Sequence, residues 1–171
     1  MKKQTKRLVA GAVIAVLYVG FTFFSNIFGL AYGPVQFRIS EVLTVLCVFT
    51  PAAVPGLAIG CFISNIASFN PIDMVFGTLA TLCAALLGYM FRNVKIFSVP
   101  VFSFFAPVLI NGVAVGAEIA VFWSNKSAAL TTFAISALTV ALGEFLMCFL
   151  LGVPLYFIIK NNKILFDFFS E

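Results

Sequence analysis

No histidine occurs anywhere in this chain. That absence removes the commonest protein metal ligand and the commonest general base together. The four cysteines, Cys47, Cys61, Cys83 and Cys148, lie inside apolar runs and form no CxxC pair. They read as small hydrophobes, not as disulfide partners or metal ligands. No GxxxxGK[ST] is present, so the chain has no P-loop with which to hydrolyse ATP, and neither HExxH nor GxSxG appears. No cofactor and no metal are expected. Charge is scarce too, at 9% of residues, and no clustered basic face exists to bind nucleic acid.

What fills the sequence is hydrocarbon: 63% of residues are hydrophobic and the mean hydropathy is +1.15. A soluble domain of this size would keep roughly a third of its surface in water, so the solvent must be lipid. At ~20 residues per crossing, the chain suits a single transmembrane domain over 1–171. About 1–7 and about 160–171 then form cytoplasmic ends. Lys2, Lys3, Lys6 and Arg7 precede the first apolar run, Arg92 and Lys95 sit mid-chain, and Lys160 and Lys163 follow the last. Placing these in the cytoplasm leaves only Arg38 and Lys126 outside, as the positive-inside rule asks. The first apolar run is longer than the ~7–15 residues of a signal-peptide core, so it reads as a retained helix.

The expected fold is all-α: a polytopic six-transmembrane-helix bundle with both termini cytoplasmic. The spans cover about 8–30, about 39 to the two prolines of 50–56, 56–68, 72–91, 99–123 and 128–159. Gly33-Pro34 punctuates the first outer loop, and the second span is short for a full crossing. Trp123 marks the outer interface, where indole is favoured. Small residues recur at helix-packing spacing, as at Gly56, Gly60, Ser64 and Ser68, at Gly112, Gly116 and Ala120, and along Gly77, Thr81, Ala84 and Gly88. Such stripes let helices approach closely in lipid. Gly11, Ala12 and Ala15 make a similar face on the first helix. It serves either packing inside the bundle or docking of a partner membrane protein.

Seven polar residues stand out once the terminal charges are set aside: Arg38, Glu41, Asn65, Asp73, Asn111, Glu118 and Glu144. An ionisable group in hydrocarbon is expensive unless it is paired or faces a wet cavity. Glu118 lies five residues before Trp123, and Asn111 is two turns deeper on the same face. Glu144 shares a small-residue face with Ala137, Ala141 and Cys148. The economical reading is one outward-opening pocket to which several helices contribute. Plainer readings stand beside it. Arg38 and Glu41 form an i, i+3 pair, Asp73 answers a helix dipole, and Asn65 and Asn111 bridge helices. Glu118 and Glu144 have no basic neighbour in sequence. One positive charge against four negative favours a ligand that is cationic or rich in N–H donors, since a carboxylate accepts two parallel N–H bonds.

The stretch VQFRISEVLTVLCVFTPAAVPGLAIGCFISNIAS, at 35–68, resembles the QueT family, as do the DMVFGTLATL run from Asp73, PVLING at 107–112 and ALGE at 141–144. The likeness runs in order from the first helix through Pro154. It implies a substrate-specificity component of an energy-coupling factor (ECF) transporter in a bacterial plasma membrane. Six helices, a pocket open to the outside and uptake of a queuosine precursor (a 7-deazaguanine base) come with it. The negative pocket suits the aminomethyl form. Implied partners are a transmembrane coupling subunit and two ATP-binding cassette ATPases, with the component toppling in the bilayer to carry its pocket inward. Such components dock through an AxxxA motif on the first helix, where this chain has Gly11-x-x-x-Ala15. The alternatives are a component for another vitamin or nucleobase, a small intramembrane enzyme using two carboxylates as acid and base, and a ligand-free assembly protein.

Overall fold

The computed structural model describes residues 3–32, 36–66, 70–125 and 127–170. The expected turn at Gly33-Pro34, the Ser68 end of the third-span stripe, and Lys2 and Lys126 lie outside the described residues. Within those residues the chain is helical, with no strand. Helix α1 covers Lys3–Ile27, and a 3₁₀ segment covers Ile39–Val48. Next come α2 (Ala53–Ile66), α3 (Pro71–Met90) and α4 (Val101–Phe122). Helix α5 (Ala129–Phe145) continues through a π-helical turn, Leu146–Leu151, into α6 (Gly152–Asn161), and α7 (Lys163–Phe169) follows.

Four stretches are long and apolar enough to cross a membrane: Lys3–Ile27, Pro71–Met90, Val101–Phe122 and Ala129–Asn161. The remaining two expected spans are shorter apolar helices, Ile39–Val48 and Ala53–Ile66. Four elements of spanning length therefore stand where six were expected. Two prolines divide this region. Pro51 falls in the break, whereas Pro55 sits in the first turn of α2, where its missing N–H leaves no helical bond unmade. Helix α2 accordingly begins at Ala53, inside the stretch read from sequence as a turn.

The 3₁₀ segment is the central strut. Every residue from Ser40 to Cys47 is buried, and the segment touches α1, α2, α3, α4, α6 and the π turn. Its tighter winding rises about 2.0 Å per residue, so ten residues reach about 20 Å, where an α-helix of that length would reach about 15 Å. Around it α2 packs on α1 and α3, while α4 packs on α3 and α5. The small-residue stripes make these seams. A methyl group on Gly56 would stand 2.7 Å from the Gly11 carbonyl oxygen, and one on Gly116 would stand 2.7 Å from the Ala137 Cβ. Outside the seams Leu8, Val16, Val75, Leu79, Val113 and Leu138 are exposed, a coat suited to lipid.

Pro154 accounts for the π turn. It cannot donate to the preceding turn, and its ring crowds the carbonyl four residues back, so the helix widens there. Beyond it the chain does not trail away as an unstructured tail. Asn162 Oδ1 accepts from the backbone N–H groups of Ile164 (3.0 Å) and Leu165 (3.1 Å), which starts α7, and Phe169 is buried. Lys6 Nζ donates to the Ser170 carbonyl oxygen at 2.6 Å. The two ends of the described chain thus meet at one end of the bundle.

Candidate functional site

All seven polar residues selected from the sequence are buried, and they divide into two sets. The first gathers at the end of the bundle remote from the chain termini. Arg38 precedes the 3₁₀ segment in an extended conformation, so its side chain leaves that helix. Its Nε donates to the Ala31 carbonyl oxygen at 2.6 Å and its Nη2 to Asp73 Oδ2 at 3.4 Å. The guanidinium also lies 5.2 Å from the Tyr32 ring centre. Burial works against the Arg38 charge most strongly, but Asp73 together with Tyr18, Cys61 and Glu41 outweighs it, and the group is held protonated more firmly than usual. The i, i+3 pairing of Arg38 with Glu41 is thus not the contact formed. An extended residue does not stand above its neighbour three positions on.

Asp73 sits in the first turn of α3, where the dipole favours it, and it also takes the Arg38 contact. Asn70 caps α3 by accepting from the Ile72 N–H at 3.1 Å. Its Nδ2 faces Glu118 Oε1 at 3.4 Å. Asn65 Nδ2 donates to the Asp73 carbonyl oxygen at 3.1 Å, tying α2 to α3, so the helix-bridging reading of this residue describes what it does. Tyr32 Oη donates to the Ser64 carbonyl oxygen at 2.6 Å, and burial pushes that phenol above its ordinary range. A cavity of about 560 Å³ opens here, lined by Tyr32, Gln36, Asn70, Asp73, Glu118 and Trp123 among others. That volume lies within the roughly 300–1,000 Å³ of small-molecule sites.

The second set lies deeper. Tyr18 on α1 donates a short hydrogen bond to Glu41 Oε1. Asn111 Nδ2 donates to Glu144 Oε1 at 2.8 Å and also lies beside Glu41, while Glu41 and Glu144 stand within each other's field. Glu41 Oε2, Asn111 Oδ1, Glu118 Oε2 and Glu144 Oε2 have no hydrogen-bond partner among the described residues. Buried polar atoms are almost always paired, so four such acceptors in two neighbouring sets are unusual. Among the described residues no group of three or more acidic, cysteine or histidine side chains could hold a metal ion.

The sets connect along α4. Val115, Glu118 and Ile119 line the cavity, and Asn111 is one turn below Val115. On the opposite wall Gly143 lies so close to the Gln36 carbonyl oxygen that a side chain there would overlap it. Only glycine at 143 lets the backbone of Gln36 come this close to α5. Sequence reasoning missed Tyr18, Asn70, Tyr32 and Gln36 as site residues. Tyr18 could have been found as the lone phenol within the aliphatic run of α1, whereas Asn70 hid behind its capping role.

A separate groove of about 670 Å³ lies toward the end where the termini meet, lined by Gly11, Ala12, Ala15, Val16, Pro55 and Ile59 among others. Gly11 and Ala15 back onto Gly56 and Gly60 of α2, and Ala12 faces outward. Packing is therefore one role of this face, and an open apolar groove lies beside it.

The family model for the QueT transporter matches residues 8–161. A queuosine precursor transporter, QueT, of Lactococcus lactis subsp. cremoris is 38% identical over 89 residues, 52% of this chain and 53% of that protein. The chain thus spans about half the length of this curated relative. Among solved structures, none matches this chain.

Proposed function

This chain belongs to the QueT transporter family, a family of transporters and not of enzymes, and on that premise we propose that it is the substrate-binding membrane subunit of an ECF-type importer. Its substrate in this reading is a queuosine precursor, a 7-deazaguanine base in the aminomethyl form, taken up across a bacterial plasma membrane. The observation that carries the reading is the pair of polar sets. Four buried carboxylates face one guanidinium, and three of them have an oxygen without a partner among the described residues. A ligand of net positive charge with several N–H donors satisfies that arrangement, and a phosphorylated or carboxylic one does not.

The single domain would cross the bilayer with both termini cytoplasmic, the 3₁₀ segment and α2 serving as the second and third of six spans. The cavity then opens outward. The groove along Gly11, Ala12 and Ala15 lies at the opposite, cytoplasmic end, where a transmembrane coupling subunit with its two ATPases would dock. Energy comes from those partners, in keeping with the missing P-loop.

Mass spectrometry of small molecules released from the purified protein tests the substrate, with an aminomethyl-deazaguanine as the expected species. Glu118→Gln and Glu144→Gln are each expected to weaken binding about tenfold or more, the loss of one charge-assisted hydrogen bond. Unchanged affinity in both variants would remove the carboxylate clasp. Release of a different vitamin would redirect the assignment within the same transporter class.

A further inference from the structure

The inner set has a composition that the outer one lacks. It presents three buried acceptors, Glu41 Oε2, Glu144 Oε2 and Asn111 Oδ1, none of them partnered among the described residues. The three side chains are 1%, 7% and 5% exposed. The donors that do reach these groups are directed at the other oxygens. The Tyr18 hydroxyl holds Glu41 Oε1, and the Asn111 amide holds Glu144 Oε1 at 2.8 Å. Each carboxylate is thereby fixed by one oxygen and left with the other to offer.

We propose that Glu41, Asn111 and Glu144 form a seat for a primary ammonium group, and that Tyr18 is the residue positioning it. This deepens the proposed function and rests on it. A primary ammonium carries three N–H donors and no acceptor, matching three acceptors one for one. A divalent cation fits poorly, because it takes six or more oxygens. The guanidinium that could compete is engaged elsewhere, since Arg38 is held by the Ala31 carbonyl oxygen and Asp73.

The outer set then reads the other end of the ligand. Asn111 and Glu118 lie on one face of α4, seven residues or about 10 Å apart at 1.5 Å per residue. That span is comparable with the long axis of a fused bicyclic base bearing an aminomethyl arm. The amine would reach the inner set while the amino-pyrimidine edge stays with Glu118 at the cavity. Ligand orientation follows: arm inward, base toward the mouth.

The test uses the full chain in lipid nanodiscs and titration calorimetry with three bases: the aminomethyl-deazaguanine, its neutral cyano counterpart, and the N,N-dimethylated amine. The wild type is expected to bind the aminomethyl base about 30-fold or more tightly than the cyano base, the smallest loss anticipated when one partner of a buried charge pair is removed. Dimethylation, which strips two N–H donors, should cost most of that preference. Glu144→Gln should bring the aminomethyl and cyano affinities together, with a larger loss for the aminomethyl base than for the cyano base. Tyr18→Phe should narrow the same ratio in part.

Equal wild-type binding of all three bases overturns the ammonium seat and leaves the transport reading standing. Equal losses for both bases in Glu144→Gln do the same. Binding of none of them sinks the transport reading and the seat together. Should Glu144→Gln fail to fold, the dimethylated base on the wild type still decides.

Discussion

Replacing Gly60 by alanine tests whether the α1–α2 seam positions the site. The added methyl carbon would stand 2.7 Å from the Tyr18 Cβ and 2.9 Å from the Ala15 carbonyl oxygen. Carbon atoms rest at about 3.5–4.0 Å, so α1 must retreat by about 1 Å or tilt. The Ala15 oxygen belongs to the backbone, so no side chain can turn aside to absorb the clash. Overpacking of this kind costs about 1–3 kcal/mol, or roughly 2–12 °C in Tm at about 2–4 °C per kcal/mol. The same displacement draws the Tyr18 hydroxyl from Glu41, so ligand affinity should fall with stability. Gly20→Ala on the same helix is the control, because a methyl group there meets nothing within 4 Å and alanine is the better helix former by about 1 kcal/mol. The assay is thermal unfolding in detergent together with calorimetric affinity. A Gly60→Ala protein that melts and binds like Gly20→Ala would falsify the claim that this seam is close-packed and sets Glu41.

The Arg38–Asp73 pair is buried on both sides. Arg38→Leu alone is expected to destabilise by about 3–5 kcal/mol, because it leaves a carboxylate uncompensated, whereas Arg38→Leu with Asp73→Leu should recover most of that; urea or thermal unfolding of the three proteins reads the difference. Asn162→Ala removes the oxygen that starts α7 and should cost about 1 kcal/mol locally, visible as faster proteolysis after residue 161 with ligand affinity unchanged. Asn70→Ala removes both a helix cap and the donor facing Glu118. It should therefore lower stability by about 1 kcal/mol and weaken ligand binding together, measured as Tm and Kd on one preparation.

The polar selection was legible because hydrocarbon makes every charge conspicuous. Arg38, Glu41, Asp73, Glu118 and Glu144 could be picked by type alone, and all proved buried. Their pairing was not legible. Arg38 and Glu41 stand three apart in sequence, yet they go to Asp73 and Tyr18, since an extended residue at a helix entrance points where the loop sends it. Tyr18 was missed because a tyrosine in an apolar run is compatible with lipid, packing or a site, and only its neighbour 23 positions away decides among them. The tail beyond Asn161 was read as an end and is a docked helix, because its cap lies in one asparagine among charged and apolar residues.

Composition and periodicity on their own determined that this is a helical membrane protein, and which of its few charged residues stand out against the apolar background. Those are matters of solvation cost, which each residue carries with it wherever the chain goes. Tertiary structure alone decided that residues 39–48 wind as a 3₁₀ strut through the centre, that Gly143 lets the Gln36 backbone lie against α5, and that the acids fall into an inner and an outer set. Those outcomes depend on which helices meet and at what separation, and no local stretch of sequence holds that distance.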